Sequence, residues 1–308
     1  MALRTRYRRR STRSRRAATR PSRRPAYRGR TRVSRRRPMI SRRRILNITS
    51  RKKSDTMMAW SNVTVPRTPA SSTFSGAVPT LTGDGNGFVN DPYMFLWCAT
   101  ARDYDLANGG TEGAIHDQAT RTAQTCFIRG LKENIMIQTN NGVPWQWRRL
   151  IFSMKGIAGI LEDANGFQLR AETSAGNMRA VSEIRDSNQN ALVDRLFRGD
   201  RGEDWSEYIN APVDTKQVTV HYDRTRTIAA GNESGMLRQY KFWHPFNKNI
   251  VYNDVEDGGG TNDGAYSTLA KPGMGDVLVM DLFQPRSGAD LTARLIFRPN
   301  ATLYWHER

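Results

Sequence analysis

Lys216-Gln217-Val218-Thr219-Val220-His221-Tyr222 is the stretch on which the fold class turns. Val218, Val220 and Tyr222 fall on one side of an extended chain, and Gln217, Thr219 and His221 on the other. That period of two is the mark of a strand with one buried face. Outward from it, similar windows recur between turn residues. Met58, Trp60 and Val63–Val65 make a first strand. Tyr93-Met94-Phe95-Leu96-Trp97-Cys98 is apolar throughout, as in a strand buried on both faces. Cys126 to Gln138 carries Phe127, Ile128, Leu131, Ile135 and Ile137. Trp145 to Met154 follows Asn140-Asn141-Gly142, a hairpin signal. Met236 to Trp243, Val277 to Phe283 and Leu291 to Phe297 complete eight candidates, the last extended by Thr302 to Trp305.

One window has a different period. Met178, Val181, Ile184, Leu192 and Leu196 recur at near-helical spacing, which predicts a helix between Asn177 and Gly199 that covers a sheet edge or, alternatively, meets a partner. Eight strands, long loops rich in Gly, Asn, Asp and Pro, and one short helix predict an all-β sandwich of two antiparallel sheets. Jelly-roll and immunoglobulin-like arrangements both fit, and the strand lengths favour a single jelly roll.

The charge is unevenly placed. Residues 1–53 hold 21 Arg and 2 Lys and no acid, a charge of +23, whereas residues 54–308 hold 25 basic and 29 acidic residues, a charge of −4. A one-signed block with almost no apolar residues cannot bury enough surface to offset chain entropy, so residues 1–53 are expected to be a disordered arm and residues 54–308 the folded body. Arg4, Arg6, Arg8, Arg9, Arg10, Arg13, Arg15, Arg16, Arg20, Arg23, Arg24, Arg28, Arg30, Arg32, Arg35, Arg36, Arg37, Arg42, Arg43 and Arg44 are the expected nucleic-acid contacts. Guanidinium groups grip phosphate oxygens bidentately and stay charged at any relevant pH. Binding of this kind is strong, salt-dependent and nearly indifferent to base. Arg42–Arg44 and Arg51-Lys52-Lys53 also suit a nuclear import receptor. A membrane surface is disfavoured as the arm's target, because no apolar helix face opposes the charges.

Other chemistry finds little support. Cys98 and Cys126 lie in apolar runs and read as buried free thiols of a reducing compartment rather than a disulfide. No apolar run is long enough to span a bilayer, and the basic N-terminus has no apolar segment of a secretory leader. His116, His221, His244 and His306 have no ligand partner at helical spacing, and no nucleophile motif occurs. Asp254, Glu256, Asp257 and Asp263 crowd a Gly-rich loop, but their spacing departs from a calcium-loop template. No cofactor, metal or enzymatic activity is expected.

Several strings are specific in combination: Arg51-Lys52-Lys53-Ser54-Asp55-Thr56-Met57-Met58 before Trp60-Ser61-Asn62; Leu196-Phe197-Arg198-Gly199 before Asp204-Trp205; Val213-Asp214-Thr215-Lys216 before Val218; Lys241-Phe242-Trp243-His244-Pro245; and the terminal Leu303-Tyr304-Trp305-His306-Glu307. In these the body resembles the capsid proteins of genomoviruses, small circular single-stranded DNA viruses, with the gemycircularvirus type nearest and geminivirus and circovirus coats as neighbours. The resemblance implies a single jelly roll and self-assembly of about sixty copies into a small icosahedral shell. It also implies packaging of circular single-stranded DNA by the arm, and passage through the host nucleus. The competing readings are a cellular nucleic-acid-binding protein with a basic tail, and a nuclease, which would need paired carboxylates or a metal cluster.

Overall fold

Strands bounded by turn residues account for most of the regular structure. The computed structural model describes residues 41–65, 67, 73–83, 92–107, 111–161 and 166–308. In chain order they form α1 (Arg42–Thr49), β1 (Arg51–Met57), β2 (Ala59–Ser61), β3 (Thr80–Thr82), β4 (Tyr93–Cys98), β5 (Thr125–Thr139), β6 (Trp145–Met154), β7 (Ala171–Thr173), β8 (Gly176–Val181), α2 (Asp186–Leu196), β9 (Thr219–Ile228), β10 (Met236–Val251), β11 (Val255–Asp257), β12 (Gly260–Asn262), β13 (Asp276–Pro285) and β14 (Arg294–Glu307).

The architecture is all-β. One sheet runs β1-β14-β5-β10, with β3 beside the start of β14, and a second runs β4-β13-β6-β9; every pairing in both is antiparallel. A small third sheet, β2-β8-β7, includes the parallel pair β2–β8. The expected strand at Tyr93–Cys98 and that at Trp145–Met154 have those bounds in space. The first expected strand lies earlier, as β1 and β2, and Val63–Val65 is irregular. Leu291–Phe297 and Thr302–Trp305 belong to one continuous β14.

Three local expectations are corrected. Asn140-Asn141-Gly142 does not close a hairpin, because β5 pairs with β14 and β10 whereas β6 pairs with β13 and β9. It is a corner between sheets: each inner face must be covered by the other sheet, and the chain crosses over to do so. The window Asn177–Gly199 is split. Met178 and Val181 belong to β8, where Met178 packs beside Trp97, and only Asp186–Leu196 is helical. Finally, Val220 and Tyr222 do not share a side. The β6–β9 register slips at His221, with Ile151 opposite Tyr222 and Phe152 opposite Val220. A bulge of this kind reverses the alternation beyond it. Val220 therefore packs on the outer core, while Tyr222 joins the inter-sheet core.

In the β4-β13-β6-β9 sheet, β4, β13 and β6 are buried on both faces, while the edge strand β9 is largely exposed. The sheet's inner face meets the first sheet through Trp97, Ile151, Val277 and Val279 against Leu131, Leu303 and Trp305, and through Trp147 edge-on to Tyr240 of β10 at 5.2 Å. Its outer face, with Leu96, Leu150, Phe152 and Met280, is covered by Leu192 and Leu196 of α2 and by Trp205 and Tyr208. This two-sided burial explains the unbroken apolar run of β4 and contributes about 1.5–3 kcal/mol for each large side chain fully buried. Both cysteines are buried free thiols.

Four charges are also enclosed. Asp281 accepts from Arg149 at 3.0 Å, from Arg179 at 2.8 Å and from the Trp147 indole N–H at 2.9 Å, while Glu133 pairs with Arg149. The network ties β5, β6, β8 and β13 together with no net charge.

Candidate nucleic-acid interface

The arm's arginines from Arg4 to Arg37 lie outside the described residues. The first described residue is Ser41, whose hydroxyl caps α1 by accepting the Arg44 N–H at 3.3 Å. Arg42, Arg43 and Arg44 form the first turn of that helix, and Arg44 is exposed. Beneath α1 runs a groove of ≈ 1010 Å³, lined by Arg44, Asn47, Phe127, Arg129, Asn247, Asn249, His306 and Arg308 among others. It has three arginines and no acid in its lining.

The junction moves the boundary of the arm. Arg51, Lys52 and Lys53 are not disordered; they begin β1 and pair with Glu307, His306 and Trp305 of β14. Arg51 and Lys52 are exposed. Lys53 is not available to an import receptor: its side chain is 3 % exposed and its ammonium lies 3.1 Å from the Glu307 carboxylate. It also donates to the Thr120 carbonyl at 2.8 Å and the Thr122 hydroxyl at 2.9 Å. Strand alternation is the cause, since one residue beyond exposed Lys52 the side chain must point inward.

The same alternation sorts charge across the whole first sheet. On β14, Arg294, Arg298, Asn300, Thr302, Tyr304 and His306 alternate with buried Leu295, Phe297, Ala301, Leu303 and Trp305. Lys52 of β1, Lys132 of β5 and Lys241 of β10 are exposed on this side with them. The four strands contain three acids, Asp55, Glu133 and Glu307, and each points inward onto a base. Asp55 meets Arg102 at 2.5 Å, Glu133 meets Arg149, and Glu307 meets Lys53. Among the described residues, the outward face is therefore basic with no acid, although the body as a whole carries −4.

Aromatic rings lie among these charges. Trp243 is 48 % exposed and stands edge-on to Tyr304 at 5.7 Å. Phe127 and His306 are 5.9 Å apart beside the groove. Burial, and then the charges of Lys52 and Arg129, hold His306 below the ordinary histidine range, so it is a neutral ring at pH 7.

His221 and Asp254 are engaged elsewhere. His221 shares a hydrogen bond with the Ser153 hydroxyl at 3.0 Å and packs against Phe246. Asp254 of the Gly-rich loop is gripped by Arg121 at 2.7 Å and takes the Tyr104 hydroxyl at 2.8 Å, and part of that loop forms the β11–β12 hairpin. Among the described residues no group of three or more His, Cys, Asp or Glu is placed to hold a metal ion. Sequence reasoning missed the outward sheet face. Lys132 and Arg298 alternate visibly with apolar neighbours, but their common side appears only once the strands are in register. No protein-family model matches this chain, and no curated protein matches it.

Proposed function

We propose that this chain is the coat protein of a small circular single-stranded DNA virus of the genomovirus kind: a structural protein that self-assembles into an icosahedral shell and packages DNA through its N-terminal arm. The observation that carries the reading is the segregation of charge. A +23 segment leads into one end of a sheet whose outward face carries no acid among the described residues, while the body's own surplus of acids lies elsewhere. A subunit that must hold DNA on one side and meet its copies on others needs that division.

The topology supports the same reading. The eight long strands, numbered in chain order, lie as 1-8-3-6 in one sheet and 2-7-4-5 in the other. We read this as a jelly roll, two interleaved Greek keys whose loops are free to make subunit contacts. Arg42–Arg44, Arg51 and Lys52 remain the segment offered to a nuclear import receptor before assembly.

Electron microscopy of the expressed full-length protein tests the proposal: uniform small closed particles are expected, and monomer at high concentration in the presence of single-stranded DNA refutes it. Deleting residues 1–40, which leaves α1 and β1 intact, should sharply reduce DNA retention at moderate salt without lowering the melting temperature. A cellular nucleic-acid-binding protein with a basic tail would lose retention in the same way but would form no particles.

A further inference from the structure

We propose that the outward face of the β1-β14-β5-β10 sheet is a second nucleic-acid site, within the folded body, that takes the bases of a single strand rather than phosphates alone. The inference rests on the reading that this chain holds nucleic acid, and it adds a site and a recognition mode that an arginine arm cannot supply.

The first argument is geometric. In register across the sheet, Trp243 of β10 lies opposite Lys132 of β5, which lies opposite Thr302 of β14, which lies opposite Thr56 of β1. One step along, Pro245, Gly130, Tyr304 and Ser54 form the next row. Gly130 is the notch that seats Trp243. A Cβ built there would come within 2.8 Å of the indole and 2.6 Å of the His244 carbonyl oxygen. The indole therefore lies across β5 toward Tyr304 instead of standing away from the sheet. Of the other tryptophans, Trp97, Trp145, Trp147 and Trp305 are 1 % exposed, Trp205 is 8 % exposed and Trp60 is partly buried against the inter-sheet core, so Trp243, half-exposed in a fixed seat, stands out among them. From Trp243 a band of rings continues through Tyr304 to His306 and Phe127, ending at the groove where the chain emerges from α1.

The second argument is electrostatic. Lys132, Lys241, Arg298 and Lys52 flank this band on a face with no acid among the described residues. Exposed aromatic faces set among such cations are what a single-stranded nucleic acid requires: every unpaired base has a face to stack, and its phosphates find cations alongside. A duplex hides those faces. The charge also decides against the other occupants. The chain's own arm is a polycation and would be repelled, and a second copy presenting the same face would place like charges together.

The test uses the full-length protein with three probes: an oligothymidylate, a duplex of equal length, and heparin, a polyanion without bases. The oligothymidylate is expected to quench tryptophan fluorescence and to crosslink under ultraviolet light to peptides containing Trp243 or Tyr304; heparin should bind without quenching. Trp243→Ala should weaken oligothymidylate binding about tenfold while leaving heparin binding unchanged, and Trp243→Phe should restore most of it. Equal loss for both probes in Trp243→Ala, or crosslinks confined to residues 1–40, would overturn the base-stacking site and leave the arm's role standing. Failure of the parent protein to bind either polyanion would overturn the wider reading as well.

Discussion

Replacing Lys53 by methionine separates a residue of the fold from a residue of the arm. Its ammonium sits 3.1 Å from Glu307, and the two side chains are 3 % and 2 % exposed. Methionine fills much of the same volume but leaves the carboxylate enclosed without its cation. Removing one partner of a buried pair costs about 3–5 kcal/mol. The low end applies here, because Glu307 still accepts from the Thr122 N–H at 3.1 Å, the Thr122 hydroxyl at 2.7 Å and the Trp305 indole N–H at 2.7 Å. A loss of about 3 kcal/mol in a body of this size corresponds to a melting temperature lower by about 6–12 °C. Lys52→Met, one residue away and exposed, should change stability by no more than about 0.5 kcal/mol. Adding Glu307→Gln to Lys53→Met should recover a large part of the loss, since an unpaired charge is then no longer buried. Thermal melts followed by circular dichroism measure all three. If Lys53→Met melts within 2 °C of the parent (a shift of less than about 1 kcal/mol), or if Lys52→Met is equally damaging, then Lys53 is not part of the fold as described. A nuclear import assay supplies the complement: loss of import should follow Arg42–Arg44, Arg51 and Lys52, not Lys53.

Two further outcomes follow from the enclosed charges. Asp281→Asn removes the negative charge and one of the two oxygens shared by Arg149, Arg179 and Trp147 and leaves a buried excess of positive charge; urea denaturation should show a loss of about 3–5 kcal/mol. His244 is held down to about 4 by burial and then by Arg149. Above the ordinary histidine value neither folded nor unfolded chain carries that proton. Below it the unfolded chain takes the proton and the folded one does not, so stability falls with pH through the window from about 6.5 to about 4. His244→Phe should reduce the stability difference between pH 7 and pH 4.5 by about 2–3 kcal/mol, and an unchanged difference would show that His244 is not kept neutral.

The strands were legible where burial is two-sided or strictly alternating. Tyr93–Cys98 can be read from composition alone because both of its faces are covered. Trp145–Met154 is bounded by a turn whose residues mark a reversal of the chain. That turn could not reveal that β5 and β6 enter different sheets, since Asn140-Asn141-Gly142 has the same local chemistry in a hairpin and in a corner. His221 could not be read as a bulge, because an extra residue is defined only against the opposing strand. The helical spacing of Met178 and Val181 was outweighed by what they pack on, a core assembled from β4, β13 and β14.

Charge shows the division most plainly. The arm's one-signed run needs no tertiary structure to be read: adjacent charges act on whatever approaches, whether the chain is folded or not. The body's average charge, by contrast, concealed its arrangement. Asp55, Glu133 and Glu307 cancel Lys52, Lys132 and Arg298 in any count along the chain. In space the acids turn inward onto Arg102, Arg149 and Lys53, while the bases turn outward together. Strands, a buried core and a polycationic arm could be read along the chain, because periodicity and like-charge repulsion are local. Which side of each strand meets water, and so which charges stand beside one another, is set only on folding, because sidedness depends on partners more than a hundred residues away.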